Sequence, residues 1–205
     1  MVTIIDYGMG NLRSVQKAFE FIGKNAIITS DKKKILHSSL VVLPGVGSFS
    51  AAMKNLKKLN LLETIKKIIA DGKPFLGLCL GLQLLFEKSE EGNCKGLGIL
   101  KGKVKKFDDP LLKIPHMGWN NIRLKVKGER LKIFKDIPDN SYFYFVHSYY
   151  VKPEDKKIIA TTTDYGINFT SSIFYKNIFA TQFHPEKSQK NGLKLLKNYV
   201  DYTGN

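Results

Sequence analysis

A cysteine at a predicted turn between a strand and a helix is the strongest candidate for covalent chemistry in this sequence. Residues 77–81 read Gly-Leu-Cys-Leu-Gly, and the small residues around Cys79 allow the tight turn that presents a nucleophile. The positive end of a helix favours the thiolate, which is the reactive form. The N–H of Leu80 would also point at an oxyanion formed there. The pattern alone also fits a structural cysteine, because free cysteines often pack as small hydrophobic residues.

A histidine and a glutamate two residues apart could complete such a site. Residues 182–186 read Gln-Phe-His-Pro-Glu, in which His184 offers a general base and Glu186 a carboxylate to fix its tautomer. Pro185 sets a rigid bend, so both side chains could project to one side. Each is also a common surface residue when taken singly. With Cys79 they form a predicted Cys-His-Glu triad.

A short glycine-containing segment follows a predicted buried strand. Residues 44–47 read Pro-Gly-Val-Gly. Glycine adopts backbone conformations that are closed to other residues, so a peptide N–H could turn here towards an anionic oxygen. The segment could therefore supply an oxyanion donor, and an ordinary glycine loop is an equally good interpretation.

Composition argues against a metal site and a nucleic-acid partner. Two cysteines, fifteen positions apart, and four scattered histidines match no usual zinc-ligand spacing, so we expect no metal and no cofactor. The formal charge of +15 would suit nucleic-acid binding. However, the basic residues are spread along nearly the whole chain, and only three are arginine, the type suited to phosphate and guanine recognition. We expect a lysine-rich surface instead.

The length and hydropathy predict one cytoplasmic domain over residues 1–205. A chain of this length buries roughly 70% of the surface that it exposes when unfolded. The longest apolar run, residues 75–86, is too short to cross a bilayer, which takes about 20 residues. The first residues lack a signal-peptide pattern. We therefore expect no membrane association.

Alternating apolar runs and helical patterns predict an α/β fold with a mostly parallel central sheet flanked by helices. The predicted strands include residues 2–6, 40–43 and 75–78, and the predicted helices residues 12–22, 62–69, 80–87 and 192–202. Between residues 98 and 183, strand-like runs follow one another with hardly a helix. This region predicts an antiparallel extension of the sheet.

Together these segments resemble the class I glutamine amidotransferases, which have a flavodoxin-like fold, and within them the glutaminase subunits of imidazole glycerol phosphate synthase. The resemblance runs nearly end to end and is carried by residues 5–12, 43–47, 77–83, 115–120, 145–149 and 182–188. The cysteine turn and the His-Pro-Glu motif are shared across the class. The first, fourth and fifth segments narrow the match to this subunit.

The resemblance implies a role for each matching residue. Cys79 would attack the side-chain amide of glutamine, His184 would carry the proton to ammonia, and Glu186 would orient His184. The remaining implied residues are Val46, Gly47 and Leu80 in the oxyanion hole, Gly47, Gln83, Ser148 and Tyr149 around glutamine, and Asn11, Met117, Trp119 and Lys187 at a partner. That partner would be a (β/α)8-barrel cyclase subunit that uses the ammonia in histidine biosynthesis.

Three other functions stay open at the level of the sequence. A paralogous glutaminase subunit of a surface-sugar amidotransferase would carry similar motifs, because the glutaminase half does not touch the sugar. A stand-alone cysteine hydrolase is the second, although residues 116–120, rich in aromatic and interface-type residues, favour a partner. The third is a basic nucleic-acid-binding protein, which would show steeply salt-dependent DNA affinity.

Overall fold

The computed structural model describes residues 1–204. The strands are β1 Val2–Ile5, β2 Ala26–Thr29, β3 Leu40–Gly45, β4 Phe75–Cys79, β5 Phe86–Ser89, β6 Cys94–Lys95, β7 Leu100–Lys106, β8 His116–Asn121, β9 Arg123–Leu124, β10 Tyr142–His147, β11 Tyr149–Pro153, β12 Ile159–Tyr165, β13 Ile167–Tyr175 and β14 Ile178–Thr181. The α-helices are α1 Leu12–Phe21, α2 Lys32–Leu36, α3 Phe49–Lys58, α4 Leu62–Ala70, α5 Leu80–Gln83 and α6 Gln189–Tyr202.

Four strands from the first half of the chain and β14 from its end build the parallel part of the central sheet. Strands β2, β1, β3, β4 and β14 lie side by side in that order, and each neighbouring pair is parallel. Gly45 pairs with Cys79, and Thr181 pairs with Leu78. The carboxyl ends of β3, β4 and β14 therefore meet at one edge of the sheet, where ligands of open α/β sheets usually bind.

Helices cover both faces of this parallel sheet, so its strands are apolar on both sides. On one face Phe19 of α1 and Tyr199 of α6 pack with Val42 of β3. On the other face Leu56 of α3 packs with Val41, the next residue of the same strand. The alternation follows from the two-residue period of a strand. It explains why β3 and β4 appear in the sequence as continuous apolar runs.

Local sequence signals set the ends of several helices. The side chain of Asn11 accepts the N–H of Ser14 at the start of α1, and Ser48 accepts that of Ala51 at the start of α3. Gly23 and Gly72 follow α1 and α4 with φ angles of +79° and +78°. Glycine adopts this backbone region without steric cost, so both glycines end their helices where the sequence predicts.

The second half forms the predicted antiparallel extension. Beyond β14 the sheet continues through β13, β11 and β7, and these neighbours pair antiparallel. The earlier strand β5 then pairs parallel with β7, and β6 pairs antiparallel with β5. Strands β8 and β10 form a separate antiparallel pair that joins the core on the α1 and α6 side. Short 3₁₀ turns replace α-helices in this half, among them Gly128–Phe134 and Pro185–Lys187.

Three sequence predictions differ from the structure. The helix expected over residues 80–87 is wrong in its second half, because Phe86–Ser89 pairs with β6 and β7 as a strand. Strand β3 runs on to Gly45 and so includes the first two residues of the 44–47 segment. Helix α6 begins at Gln189, three residues before the expected start.

No helix within residues 1–204 is long and apolar enough to span a membrane.

Candidate active site

Cys79 lies at the junction of β4 and α5 in a strained backbone conformation. Its φ and ψ angles are 52° and −105°, a region that side-chain-bearing residues rarely occupy. The neighbouring glycines make the junction compact. A Cβ on Gly77 would lie 2.9 Å from the carbonyl oxygen of Gly81, and one on Gly81 would overlap the carbonyl of Leu43. The Gly-x-Cys-x-Gly pattern thus follows from close packing between strand and helix.

The sulphur of Cys79 is enclosed and has two polar neighbours. Only 6% of the residue is exposed. Its Sγ lies 3.8 Å from the carbonyl oxygen of Val146 and 3.6 Å from Nε2 of Gln182. The thiol can donate to the carbonyl, whereas the amide N–H of Gln182 can donate to the sulphur in either of its protonation states.

His184 and Glu186 form a buried pair after β14. Nδ1 of His184 lies 2.7 Å from Oε1 of Glu186, and each side chain is 3% exposed. The 3₁₀ turn Pro185–Lys187 brings the two side chains to the same side. Ser188 holds this turn, because its hydroxyl donates to the carbonyl of His184 and accepts the N–H of Tyr144.

The environment of His184 favours the imidazolium. Burial by itself lowers the pKa of this histidine, but the nearby charge of Cys79 and the bond to Glu186 outweigh it and raise the pKa to about 10. Nε2 of His184 has no hydrogen-bond partner among residues 1–204. It is the nitrogen left to exchange a proton with Cys79 or with a bound ligand.

A cavity of about 240 Å³ opens above the sulphur. It is lined by Val46, Gly47, Cys79, Leu80, Gln83, Glu91, Pro115, Val146, His147, Ser148 and Tyr149. All predicted oxyanion and glutamine-binding residues are in this set. His184 and Glu186 are not among the lining residues.

Sequence reasoning missed Glu91 and assigned no role to the side chain of His147. Glu91 lies in a short turn after β5, and its Oε2 accepts the N–H of Phe49 at the start of α3 over 2.9 Å. In the sequence it is one of two adjacent glutamates in a polar stretch. No local signal distinguishes it, since only the fold brings it to the cavity.

The two glycines of the 44–47 segment serve different purposes. Gly47 has a φ of +93°, so its conformation suits glycine alone. Gly45 has an ordinary backbone, but a Cβ there would overlap the hydroxyl of Tyr7 and lie 2.9 Å from Cβ of Leu80. That hydroxyl donates to the carbonyl of Pro44 over 2.8 Å. A substitution at Gly45 would therefore disturb packing first, and Gly47 is the residue that allows the peptide to turn.

Three of the four predicted partner-interface residues lie around Tyr144. Met117 and Trp119 project from the same face of β8 and are 62% and 46% exposed. The ring of Trp119 is 6.2 Å from that of Tyr144, and Nζ of the exposed Lys187 is 5.7 Å from the Tyr144 ring. Asn11 is the N-terminal cap of α1.

Within residues 1–204 no group of His, Cys, Asp or Glu side chains is arranged to hold a metal ion.

Comparisons with known proteins show the family to which the chain belongs. The model of the glutamine amidotransferase class-I family matches residues 3–201. Solved structures show the same fold at low identity, among them PurLQS from Thermotoga maritima, with a TM-score of 0.76 at 17% identity over 98% of this chain and 97% of that chain. A glutaminase domain of Trypanosoma brucei CTPS with bound acivicin has a TM-score of 0.69 at 16% identity over 98% and 93%.

Closer relatives are similar over almost their whole length. The imidazole glycerol phosphate synthase subunit HisH of Methanocaldococcus jannaschii is 54% identical over 98% of this chain and 99% of its own. That of Aquifex aeolicus is 54% identical over 96% and 94%, and that of Geobacter metallireducens 49% identical over 97% of each. These names favour histidine biosynthesis over the surface-sugar alternative. The chain belongs to the class I glutamine amidotransferases and, within them, to the HisH family, the glutaminase subunits of imidazole glycerol phosphate synthase in histidine biosynthesis.

Proposed function

We propose that this chain hydrolyses glutamine at Cys79 and delivers the ammonia to a barrel-shaped cyclase subunit. The observation that carries the proposal is the placement of Cys79 at a strained turn, beside a buried His184–Glu186 pair joined over 2.7 Å. In this arrangement the thiolate and the imidazolium form an ion pair that is ready to react.

The reaction would proceed in two halves. The Cys79 thiolate attacks the side-chain carbonyl carbon of glutamine, and the resulting oxyanion accepts hydrogen bonds from the backbone N–H groups of Leu80 and of the Val46–Gly47 segment. His184 gives its proton to the amide nitrogen, which leaves as ammonia, and a thioester remains. Water then attacks the thioester, His184 takes the proton back, and glutamate leaves while the thiolate reforms. Glu186 holds His184 in the tautomer that this cycle requires.

The cavity suits an amino-acid substrate. Gln83 uses both hydrogens of its amide for protein acceptors, which leaves Oε1 free to accept from the ammonium group of glutamine. The Glu91 carboxylate at the rim adds a second acceptor of opposite charge. The backbone at Gly47, Ser148 and Tyr149 would hold the carboxylate.

The exposed apolar residues of β8 support a protein partner. Met117 and Trp119 expose aromatic and apolar surface of the kind enriched at protein interfaces. Lys187 beside them suits an acidic residue of the partner, and Asn11 would complete the contact. We further propose that residues 1–205 act as one glutamine amidotransferase domain in the cytoplasm, in a heterodimer with a (β/α)8-barrel cyclase and without a nucleic-acid or membrane partner.

The two halves of this proposal can be tested separately by measuring synthesis from glutamine and synthesis from added ammonia. In the complex with the cyclase, Cys79→Ala should lower glutamine-dependent synthesis by several orders of magnitude, as loss of a nucleophile usually does. Synthesis from added ammonium salts should continue, because the cyclase needs only ammonia. Cys94→Ala provides the matched control and should keep both activities.

Two outcomes would contradict the proposal. Loss of ammonia-dependent synthesis in the Cys79→Ala complex would show that the two chemistries are not divided between subunits. Full glutaminase turnover by the isolated chain, unchanged by any cyclase, would remove the need for a partner.

A further inference from the structure

Two buried glutamines connect the sulphur of Cys79 to the backbone of β11. Nε2 of Gln182 donates to Sγ of Cys79 over 3.6 Å, and Oε1 of Gln182 accepts from Nε2 of Gln83 over 3.0 Å. Gln83 gives its second hydrogen to the carbonyl of Tyr149, also over 3.0 Å. Gln182 is 0% and Gln83 4% exposed, so water does not compete for these bonds.

The carbonyl of Tyr149 sets the donor-to-acceptor direction of all these hydrogen bonds. A carbonyl oxygen only accepts, so Gln83 must turn its NH₂ group towards it. The second hydrogen of that group needs an acceptor, so Gln182 must present Oε1. The NH₂ group of Gln182 is then left facing Cys79. The sulphur receives a donor, which stabilises a thiolate, instead of an oxygen that would repel it.

Two histidines continue the chain on the other side of the same carbonyl. Nδ1 of His147 lies 2.8 Å from the Tyr149 oxygen and must carry a hydrogen. Nε2 of a neutral His147 is then an acceptor, so Nδ1 of His116, at 2.9 Å, donates to it. Nε2 of His116 accepts in turn from Nδ2 of Asn120 at 3.2 Å.

The surroundings of the two histidines keep both rings neutral. His116 is stacked between Phe145 and Tyr165, with ring centroids 4.9 Å and 4.0 Å away. Phe169 packs against His147 with a centroid distance of 5.2 Å. A second proton on either ring would place two N–H groups against each other, and no carboxylate partner is recorded for either ring within residues 1–204.

We propose that the amide of Gln182 is a catalytic hydrogen-bond donor to the sulphur of Cys79 and that Gln83 is the positioning residue that fixes its orientation. His147 and His116 are positioning residues that hold the Tyr149 carbonyl to which Gln83 donates. The proposal rests on the proposed function, in which Cys79 is the nucleophile. It assigns a role to Gln182, the first residue of the 182–186 motif, that the triad alone does not use.

The far end of this chain lies at the candidate partner surface. Asn120 follows the exposed Trp119 in β8, and its amide also donates to the carbonyl of Asp164 over 2.9 Å. Asn120 therefore links β8, which carries that surface, to the ring of His116.

The first test measures the reactivity of the sulphur without any substrate. In a Cys94→Ser background, Cys79 is the one remaining thiol, and iodoacetamide converts it to a thioether with release of iodide. Gln182→Met removes the donor at similar size and should slow alkylation about 3- to 10-fold at constant pH, because the loss of thiolate outweighs the gain in nucleophilicity. Thr181→Val is the control, since it removes a buried hydrogen bond to Phe183 at the adjacent position and should leave the rate unchanged.

The second test addresses the histidines. His147→Asn keeps an N–H near the position of Nδ1, whereas His147→Leu removes it. We expect His147→Leu to slow alkylation and His147→Asn to restore most of the rate at comparable thermal stability. Nitrogen-15 NMR of labelled histidine should show His116 and His147 neutral, each with its proton on Nδ1.

The outcomes separate this inference from the proposed function. Two results would overturn the hydrogen-bond chain, whatever the glutaminase activity of the protein. They are an unchanged alkylation rate in Gln182→Met and a proton on Nε2 of His147 at neutral pH. Slowed alkylation in Gln182→Met, together with no glutamine hydrolysis by the wild-type chain in complex with the cyclase, would support the hydrogen-bond chain and refute the proposed function.

Discussion

Two buried histidines on neighbouring parts of the fold have pKa values that are shifted in opposite directions. His184 and His147 are similarly enclosed, at 3% and 6% exposure. The pKa of His184 is raised to about 10, because the charges of Cys79 and Glu186 outweigh burial. The pKa of His147 is lowered to about 3, because burial and the neighbouring histidines outweigh its bond to the Tyr149 carbonyl. The charge of the partners, and not the degree of burial, decides which ring carries the second proton.

The contrast predicts opposite effects of pH on stability. Between the unfolded pKa of about 6.5 and about pH 10, folded His184 holds a proton that the unfolded chain has released, so its contribution to stability is lost as the pH rises through that range. Folded His147 and His116, with pKa values of about 3 and 4, bind protons later than the unfolded chain does. Their contribution is lost as the pH falls below about 6.5.

Removing the charge beside His184 should give the largest effect. Glu186→Gln keeps the shape but removes the carboxylate, so the pKa of His184 should fall and glutamine turnover should drop by roughly 10²-fold. Turnover measurements give the loss of activity, and urea unfolding between pH 6.5 and 10 gives the change in the pKa of His184. The dependence of the free energy of unfolding on pH should become shallower in this range alone. Glu129→Gln, at an exposed glutamate paired with Lys132, is the control. Wild-type turnover in Glu186→Gln would remove Glu186 from the triad.

Removing the neutral ring of His147 should have a smaller effect, and that effect should fall on the free energy of unfolding at acidic pH. His147→Asn has no group that titrates between pH 4 and 6.5, so the fall of the free energy of unfolding with decreasing pH should become shallower. Urea denaturation at several pH values checks this. His37→Asn, at the residue that follows the short helix α2, should leave the acid slope as it is. An unchanged slope in His147→Asn would mean that His147 is not held neutral by the fold.

A surface charge near His184 should have the smallest effect on its protonation. Lys187 is exposed beside the Tyr144 ring, so solvent and salt screen its field at the imidazole. Lys187→Glu should leave the pKa of His184 nearly unchanged by NMR but weaken binding of the cyclase by about tenfold or less. Lys125→Glu, at an exposed position away from that surface, should not weaken it. Equal affinities of the two variants in a titration would place Lys187 outside the interface.

The sequence determined the local features of this protein. Apolar runs next to helical patterns predicted the α/β class and the antiparallel extension, and glycines marked the ends of α1 and α4. The local geometry around Cys79 and around His184 and Glu186 could be predicted because it depends on short spacings, namely a cysteine between glycines and a His-Pro-Glu turn. These signals are local, since a few adjacent residues set the backbone that each one requires.

Only the tertiary structure decided what meets the cysteine. The helix predicted over residues 80–87 stops early because Phe86–Ser89 pairs with the next two strands, β6 and β7, and the residues of the segment alone do not reveal this competition. Glu91 reaches the cavity, and Gln182 reaches the sulphur across 103 positions of sequence. The protonation of His184 and His147 was likewise undecided in the sequence, because it depends on burial and on the distant residues Cys79 and His116, which approach these rings only in the folded chain.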